Sequence, residues 1–402
     1  MPRPLVQWLY QPEASSSLSV IDNLVLTDPL PRATATSSPY WIHISSLPPE
    51  ALTALLQELT PEWSTQLQQV CVFEQQGLLL RAETGLVQAV SSWLQAGDER
   101  AQEIGRELLE SWRRFHSSLT PWTFRQSTLD FAQAARPFIM GIVNVTPDSF
   151  SDGGLFDNAQ KAVEHGLRLV EEGAELLDIG GESTRPGAAK VDVEAEKRRV
   201  LPVIEALAKR VSVPISIDTY KAEVAREAVQ AGAEIINDIS CLRFDPDLPR
   251  TIAETGAYFL LMHSRHTPTD MQRAPHYENL WQELVSELRI GVQTAVEAGV
   301  NCSRIGIDPG LGFGKRLQDN YRILREFSVL REMGFPILIG ASRKSFLGTV
   351  LQTRDTSQRL EGSLATVAAA WTDRAQFVRV HDVAETARFL RVAEAIRRPP
   401  LE

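Results

Sequence analysis

The chain is 402 residues long, too long for one ordinary domain and suited to a large domain with a smaller one beside it. Its 43% hydrophobic and 23% charged residues exclude an intrinsically disordered chain. A net charge of -10 excludes a dedicated nucleic-acid binder, though a locally basic pocket is still allowed. Cys71, Cys241 and Cys302 stand far apart without a Cys-x-x-Cys pair, so neither a disulfide framework nor a zinc site is expected. Apolar runs fall short of the roughly 18 residues that span a bilayer. The opening with Pro2 and Pro4 does not read as a signal peptide. A cytoplasmic protein with no membrane and no nucleic-acid partner is the expectation.

Glycine and tryptophan divide the chain unevenly. Of 24 glycines only Gly77, Gly85, Gly97 and Gly105 precede Arg136, whereas six of the 8 tryptophans do. The shift places a boundary near residues 120–137, where Thr120-Pro121 and Arg136-Pro137 disfavour helix. The expected organisation is a small α/β N-terminal module over residues 1–130 and a second domain over 131–402. In the module, the first stretch of some thirty residues reads as loop or tail. Trp41–Ile44 reads as a strand, and Gln69–Phe73 with Leu78–Ala82 as a hairpin. Pro48–Leu59, Thr84–Leu94 and Asp98–Phe115 read as helices, the last with Ile104, Leu108, Leu109 and Trp112 at helical spacing. His43, His116 and Cys71 show no ligand spacing, and the tryptophans fit a core better than a binding platform.

From residue 138 onward eight short apolar runs alternate with amphipathic segments. They are Phe138–Val143, Leu176–Ile179, Pro214–Ile217, Ile235–Ile239, Tyr258–Met262, Ile305–Ile307, Ile337–Ile339 and Phe377–Val380. Glycines 173, 232, 256, 299 and 334 stand where helices end before the next run, as left-handed caps do. Eight strand–helix repeats predict an α/β fold of the (β/α)₈ barrel type; an open doubly wound sheet is the competing layout. In a barrel, reactive side chains sit where strands end. Those positions are Asn144, Asp178, Asp218, Asn237-Asp238, His263, Asp308, Ser342-Arg343-Lys344-Ser345 and Arg379-Val380-His381. Every strand delivers a charged, amide or imidazole group to one rim.

Asp218, Asn237 and Asp308 suit the amino and ring N–H edge of a nitrogen heterocycle, while Lys344, Arg379 and His381 suit a phosphate. Taken singly, each aspartate is as well explained by a cap or a surface ion pair; their common rim favours a site. Gly310-Leu311-Gly312-Phe313-Gly314 lacks dinucleotide spacing, and loop flexibility explains it equally well.

Five blocks, Asn144–Gly154, Asp178–Gly187, Asp308–Lys315, Gly340–Gly348 and Arg379–Val383, resemble the signatures of the dihydropteroate synthases, over about Arg136 to Val392. The resemblance implies a (β/α)₈ barrel, usually a homodimer. Its reaction joins p-aminobenzoate to 6-hydroxymethyl-7,8-dihydropterin diphosphate with Mg²⁺, giving 7,8-dihydropteroate and pyrophosphate. By motif it implies Asp218, Asn237, Asp308, Met262 and Lys344 as pterin contacts. Asn144, Arg185, Arg379 and His381 would hold the diphosphate, with Asn144 on the metal. Thr184, Pro186, Phe150, Arg343 and Ser345 would enclose the aminobenzoate. Asp148, Arg185, Lys344, Arg379 and His381 would act in catalysis. His266, where glycine is more usual, and Leu311, where phenylalanine or isoleucine is often found, depart from the pattern. Two other readings stay open: a pterin-binding methyltransferase serving a corrinoid partner, and a silent paralogue that only binds.

Overall fold

The computed structural model describes residues 6–10, 40–44, 70–73, 77–81, 84–97, 99–146, 155–183, 190–265 and 275–398. The chain forms two compact units. One is Met1–Ser117 with Glu278–Glu283 and Ser328–Gly334; the other is Ser118–Tyr277, Leu284–Phe327 and Phe335–Glu402.

The smaller unit contains an antiparallel sheet of β1 (Val6–Tyr10), β2 (Tyr40–Ile44), β3 (Val70–Phe73) and β4 (Gly77–Arg81), in the order β1-β2-β4-β3. The expected hairpin is there, with Val70 opposite Leu80 and Phe73 opposite Gly77. The expected tail is only partly so: Val6–Tyr10 is a strand that pairs with β2, Trp8 opposite Ile42. Val6, Trp8 and Tyr10 are β-formers at alternate positions, a signal too short to weigh against the serines and prolines around it. Helices Thr84–Gln95 and Glu99–His116 follow, with Val87, Val90, Leu94, Ile104, Leu108 and Phe115 buried. The helix expected over Pro48–Leu59 lies outside the described residues.

The larger unit begins with a short antiparallel hairpin, β5 (Trp122–Thr123) and β6 (Thr128–Leu129). Eight parallel strands follow: β7 (Phe138–Asn144), β8 (Leu176–Gly180), β9 (Ile215–Asp218), β10 (Ile235–Asp238), β11 (Tyr258–Met262), β12 (Ile305–Asp308), β13 (Leu338–Ile339) and β14 (Phe377–Val380). Their order is β12-β11-β10-β9-β8-β7-β14-β13, and a parallel bridge from Ile307 to Ile337 closes the ring. This is the (β/α)₈ barrel, and the doubly wound alternative is ruled out by the closure. The strands are apolar along their length because the barrel interior and the helices bury both faces. The five helix-ending glycines all have positive φ, from 65° at Gly256 to 122° at Gly232.

The hairpin supplies an aromatic floor to the barrel. Trp122, Phe124, Leu129 and Phe131 pack with Met140, Leu176, Ile235, Leu260, Leu338 and Phe377. Trp122 is fully buried, and its indole N–H donates to the Ser303 carbonyl at 3.1 Å. Its large apolar area and its satisfied N–H both favour that position. With this end sealed, the opposite end is the one open to ligands. Trp122→Ala is expected to lower unfolding stability by about 3–5 kcal/mol in urea denaturation; a loss near zero would show that the hairpin is not part of the barrel core.

Candidate functional site

Parallel register sets the site's first row. Asn144 lies beside Gly180, Gly180 beside Asp218, and Asp218 beside Asn237, across four neighbouring strands. Gly180 leaves the row open: a Cβ there would stand 3.7 Å from both Asn144 Oδ1 and Asp218 Oδ2. From β14, the neighbour of β7 on the other side, Arg379 reaches over to this row. Its Nε donates to Asp178 Oδ2 at 2.6 Å and its Nη2 to Asp218 Oδ2 at 2.7 Å. Asn237 Nδ2 donates to the same Asp178 oxygen at 3.1 Å. Two carboxylates thus share one guanidinium where little water reaches. Burial pushes the Asp218 carboxyl up to about 7; Arg379 opposes this, and the Asp178, Glu196 and Asp238 carboxylates add to it. Arg379 in turn is held above its usual value, since Asp178 and Asp218 outweigh its own burial.

Asp308 ends β12 opposite Met262 and is buried. The Gly310 N–H donates to its Oδ1 at 2.7 Å, and Oδ2 would lie 3.8 Å from a Cβ on Gly340. Burial raises the Asp308 carboxyl, against the pull of Lys344, the Gly310 N–H, Lys315 and Arg379. The Lys344 ammonium bonds to the Leu311 carbonyl and lies 4.7 Å from the Phe313 ring centre. Burial pushes Lys344 down to about 8, with Asp308 opposing and Arg379 assisting. Gly310, Gly312 and Gly314 all have positive φ. At Gly310 a Cβ would come within 2.0 Å of the His263 carbonyl oxygen, and at Gly312 within 2.9 Å of Lys344 Cδ. Glycine is required there by sterics, so loop flexibility does not account for the motif.

An apolar patch completes the mouth: Ile239, Met262 and Phe313 pack together with Tyr220 against them. The Tyr220 hydroxyl donates to Glu182 at 3.1 Å, and the Lys221 ammonium binds both Glu182 and the buried Glu196. Arg243 and Arg265 both hold Glu287, each at 2.7 Å. These ion pairs brace the loops after β8, β9, β10 and β11. A hollow of about 580 Å³ in the smaller unit is lined by Leu109, Trp112, Arg113 and His116 among others. Its lining has no carboxylate, so concavity without matching charge does not mark it as the site.

Asp218, Asn237, Asp308, Lys344, Arg379, Met262 and Asn144 therefore gather at one end of the barrel, as the sequence led one to expect. Other positions came out differently. Arg379 is engaged by the carboxylates of Asp178 and Asp218, partners that the sequence did not indicate. His381, one residue past β14, is tied to Ser342 through its backbone N–H at 3.2 Å and its Nδ1 at 3.1 Å. Arg343 forks onto Asp382, with Nε at 3.0 Å from Oδ2, and Ser345 is exposed at the start of helix Ser345–Val350. Asp148, Phe150, Thr184, Arg185, Pro186 and His266 lie outside the described residues. Leu311 is fully buried, which keeps that wall apolar. Sequence reasoning gave Asp178 no role, although an aspartate inside the buried run Leu176–Gly180 was the available signal. It also passed over Lys315, Tyr220 and the Glu182–Lys221–Glu196 group.

Chemically, the mouth offers acceptors for several N–H donors, an apolar face for a flat ring, and cations at its edge. Among the described residues no three His, Cys, Asp or Glu side chains gather as a metal site. Asn144 offers one hard oxygen facing the open position at Gly180. That suits a cation which arrives already bound to phosphate oxygens better than one caged by the protein.

A family model described as "Pterin binding enzyme" matches residues 140–381. The dihydropteroate synthase of Synechocystis sp. is 42% identical over 278 residues, 69% of this chain and 96% of that protein. The enzyme of the same name from Escherichia coli K12 is 45% identical over 261 residues, covering 65% and 92%. Among solved structures, Yersinia pestis dihydropteroate synthase in a sulfonamide drug complex superposes with a TM-score of 0.65 at 44% identity, covering 69% of this chain and 99% of that one. The Xanthomonas albilineans enzyme in complex with 7,8-dihydropteroate gives 0.61 at 44% identity, over 68% and 99%.

Replacing Arg379 by Met would leave Asp178 and Asp218 buried side by side without their cation. A loss of about 3–5 kcal/mol in denaturant unfolding is expected, with recovery in Asp218→Asn/Arg379→Met. An unchanged unfolding midpoint in the single variant would refute the shared-guanidinium arrangement.

Proposed function

The chain belongs to the pterin-binding enzyme family, and we infer from that premise that it is a dihydropteroate synthase. It condenses 6-hydroxymethyl-7,8-dihydropterin diphosphate with p-aminobenzoate, releasing 7,8-dihydropteroate and pyrophosphate. The observation that carries the reading is the buried acceptor set Asp218, Asn237 and Asp308 around an apolar patch, with Lys344 and Arg379 beside it. A pterin is flat and presents a 2-amino group and ring N–H groups along one edge. Carboxylate and amide oxygens aimed at that edge bind it and reject rings lacking those donors, since buried acceptors would then be left unpaired.

The pterin methylene carries a diphosphate, and the electron-rich ring shares the positive charge as the C–O bond breaks. A dissociative displacement needs no protein nucleophile. It needs charge stabilisation at the departing oxygen and a site that excludes water. Asp218, Asn237, Asp308 and Lys344 fix the ring, with Met262 and Phe313 against its face. Asn144, Arg185, Arg379 and His381 hold the diphosphate, and Arg379, bound to Asp178 and Asp218, also orients the carboxylate row. The p-aminobenzoate amine then attacks the methylene; Thr184, Pro186, Phe150, Arg343 and Ser345 are proposed as its contacts and Asp148 as a further catalytic residue. Asn144 would hold a Mg²⁺ ion, which would supply charge neutralisation to the leaving diphosphate. Methyl transfer to a corrinoid is disfavoured by relatives that carry the synthase name along nearly their whole length.

The same reading includes a homodimer and a cytoplasmic setting. Val392 and Ile396, 62% and 76% exposed, are one turn apart on helix Val383–Arg397 and present an apolar stripe that a second copy would cover. No helix among the described residues is long and apolar enough to cross a membrane.

The purified chain is expected to release pyrophosphate only when pterin diphosphate, p-aminobenzoate and Mg²⁺ are all present, and to do so as a species of twice the monomer mass. No release with all three would overturn the assignment, and release without the aminobenzoate would make the protein a hydrolase.

A further inference from the structure

A buried cation lies behind Asp308 that none of these steps uses. Lys315 ends the glycine loop after β12 and is only 3% exposed. Its Nζ lies 3.1 Å from His263 Nδ1 and 3.1 Å from the Phe313 carbonyl oxygen. A Cβ on Gly310 would stand 3.2 Å from that Nζ, and it is the Gly310 N–H that holds Asp308 Oδ1. The ammonium is therefore one backbone residue away from the acceptor carboxylate. The His263 N–H donates to the Asp308 carbonyl at 2.8 Å, so the backbones of the two strands are tied at the same point.

An ammonium has only N–H groups to give, so His263 Nδ1 accepts and the imidazole proton sits on Nε2. Nε2 lies 3.3 Å from Glu287 Oε2, and the carboxylate favours a proton on that side. Burial pushes the His263 imidazole down to about 3, with Lys315 adding to the effect and Glu287 opposing it, so the ring stays neutral. Glu287 is held below its usual value despite burial, by His263, Arg265 and Arg243. The charged groups that face Lys315 are thus Asp308 and Glu287 on the favourable side and Lys344 and Arg265 on the unfavourable side.

We propose that Lys315, seated on neutral His263 and the Phe313 carbonyl behind the Gly310 N–H that binds Asp308, is a positioning residue for pterin recognition by that carboxylate. This deepens the pterin reading of the mouth and rests on it. The sign follows from the groups involved. Asp308 is raised by burial and lowered by Lys344 and Lys315 together. Burial sets Lys315 at about 7, so its charge is fully present on the acid side of neutrality, where Asp308 needs it. Well above neutrality the carboxylate is ionised without that help. Loss of Lys315 should therefore weaken pterin binding mainly at low pH.

The test is the affinity of the full chain for 6-hydroxymethylpterin, titrated from pH 5.5 to 8.5, with steady-state kinetics alongside. In Lys315→Met the acid limb of pterin affinity is expected to move up by about one pH unit, a roughly tenfold loss at pH 6. At pH 8.5 the affinity should stay within about threefold of wild type, with kcat at saturating pterin and KM for p-aminobenzoate little changed. His263→Gln, which keeps an acceptor, is expected to resemble wild type, and His263→Leu to resemble Lys315→Met. A loss spread evenly over pH, or a rise in both KM values together, would reduce Lys315 to a structural part and overturn the proposal. Should the variants not fold, ¹⁵N spectra of wild-type His263 decide: a neutral Nε2–H tautomer, unchanged from pH 5.5 to 7, is expected, and a proton on Nδ1 would overturn it. Failure of the wild type itself to bind hydroxymethylpterin at any pH would strike the pterin reading and take this inference with it.

Discussion

Arg379 carries the charge balance of the barrel mouth, because Asp178 and Asp218 both rest on its guanidinium where water is scarce. Burying a carboxylate is expensive unless a cation and hydrogen bonds accompany it, and leaving one of a buried pair alone is more expensive still. A protein that keeps Asp178, Asp218 and Asp308 within one opening must therefore supply cations from inside. Arg379, Lys344 and Lys315 are those cations: Arg379 is held by Asp178 and Asp218 directly, whereas Lys344 and Lys315 are seated on the Leu311 and Phe313 carbonyls. The acceptors are fixed before any ligand arrives, so little reorganisation is required on binding.

That arrangement is available only because of the fold. Parallel register places Asn144, Gly180, Asp218 and Asn237 in one row, and a one-residue slip of any of these strands would turn its member of the row to the other face. Closure between Ile307 and Ile337 brings β12, with Asp308, into the same ring as β14, with Arg379. The aromatic floor around Trp122 blocks the other end. The glycines after β12 let the backbone pass within contact of the His263 carbonyl and the Lys344 chain, a path no side chain would permit.

Much of this was legible in the sequence. Apolar runs of three to six residues followed by polar tips point to strands buried on both faces, and the tips named Asp218, Asn237, Asp308 and Lys344 in advance. What it could not provide was pairing. Arg379 and His381 alternate along one strand, which suggested a shared task; the fold also turns Arg379 onto carboxylates from β8 and β9, and ties His381 to Ser342. Partners 161 and 201 residues away leave no local trace. Trp122 was counted with the leading tryptophans because composition alone cannot say which core an aromatic side chain enters. Lys315 looked like the polar end of a loop and proved to be buried, since one of its partners, His263, lies 52 residues away and the other is a main-chain carbonyl.

The account stands on Asp308 and its neighbours recognising the donor edge of a pterin as ionised acceptors. The most direct measurement is the calorimetric affinity of Asp308→Asn for 6-hydroxymethylpterin at pH 7.5, against wild type. Replacing a buried charged acceptor by an amide that turns an N–H toward the ligand's own N–H groups should weaken binding roughly hundredfold. An affinity equal to wild type in the folded variant would contradict the account.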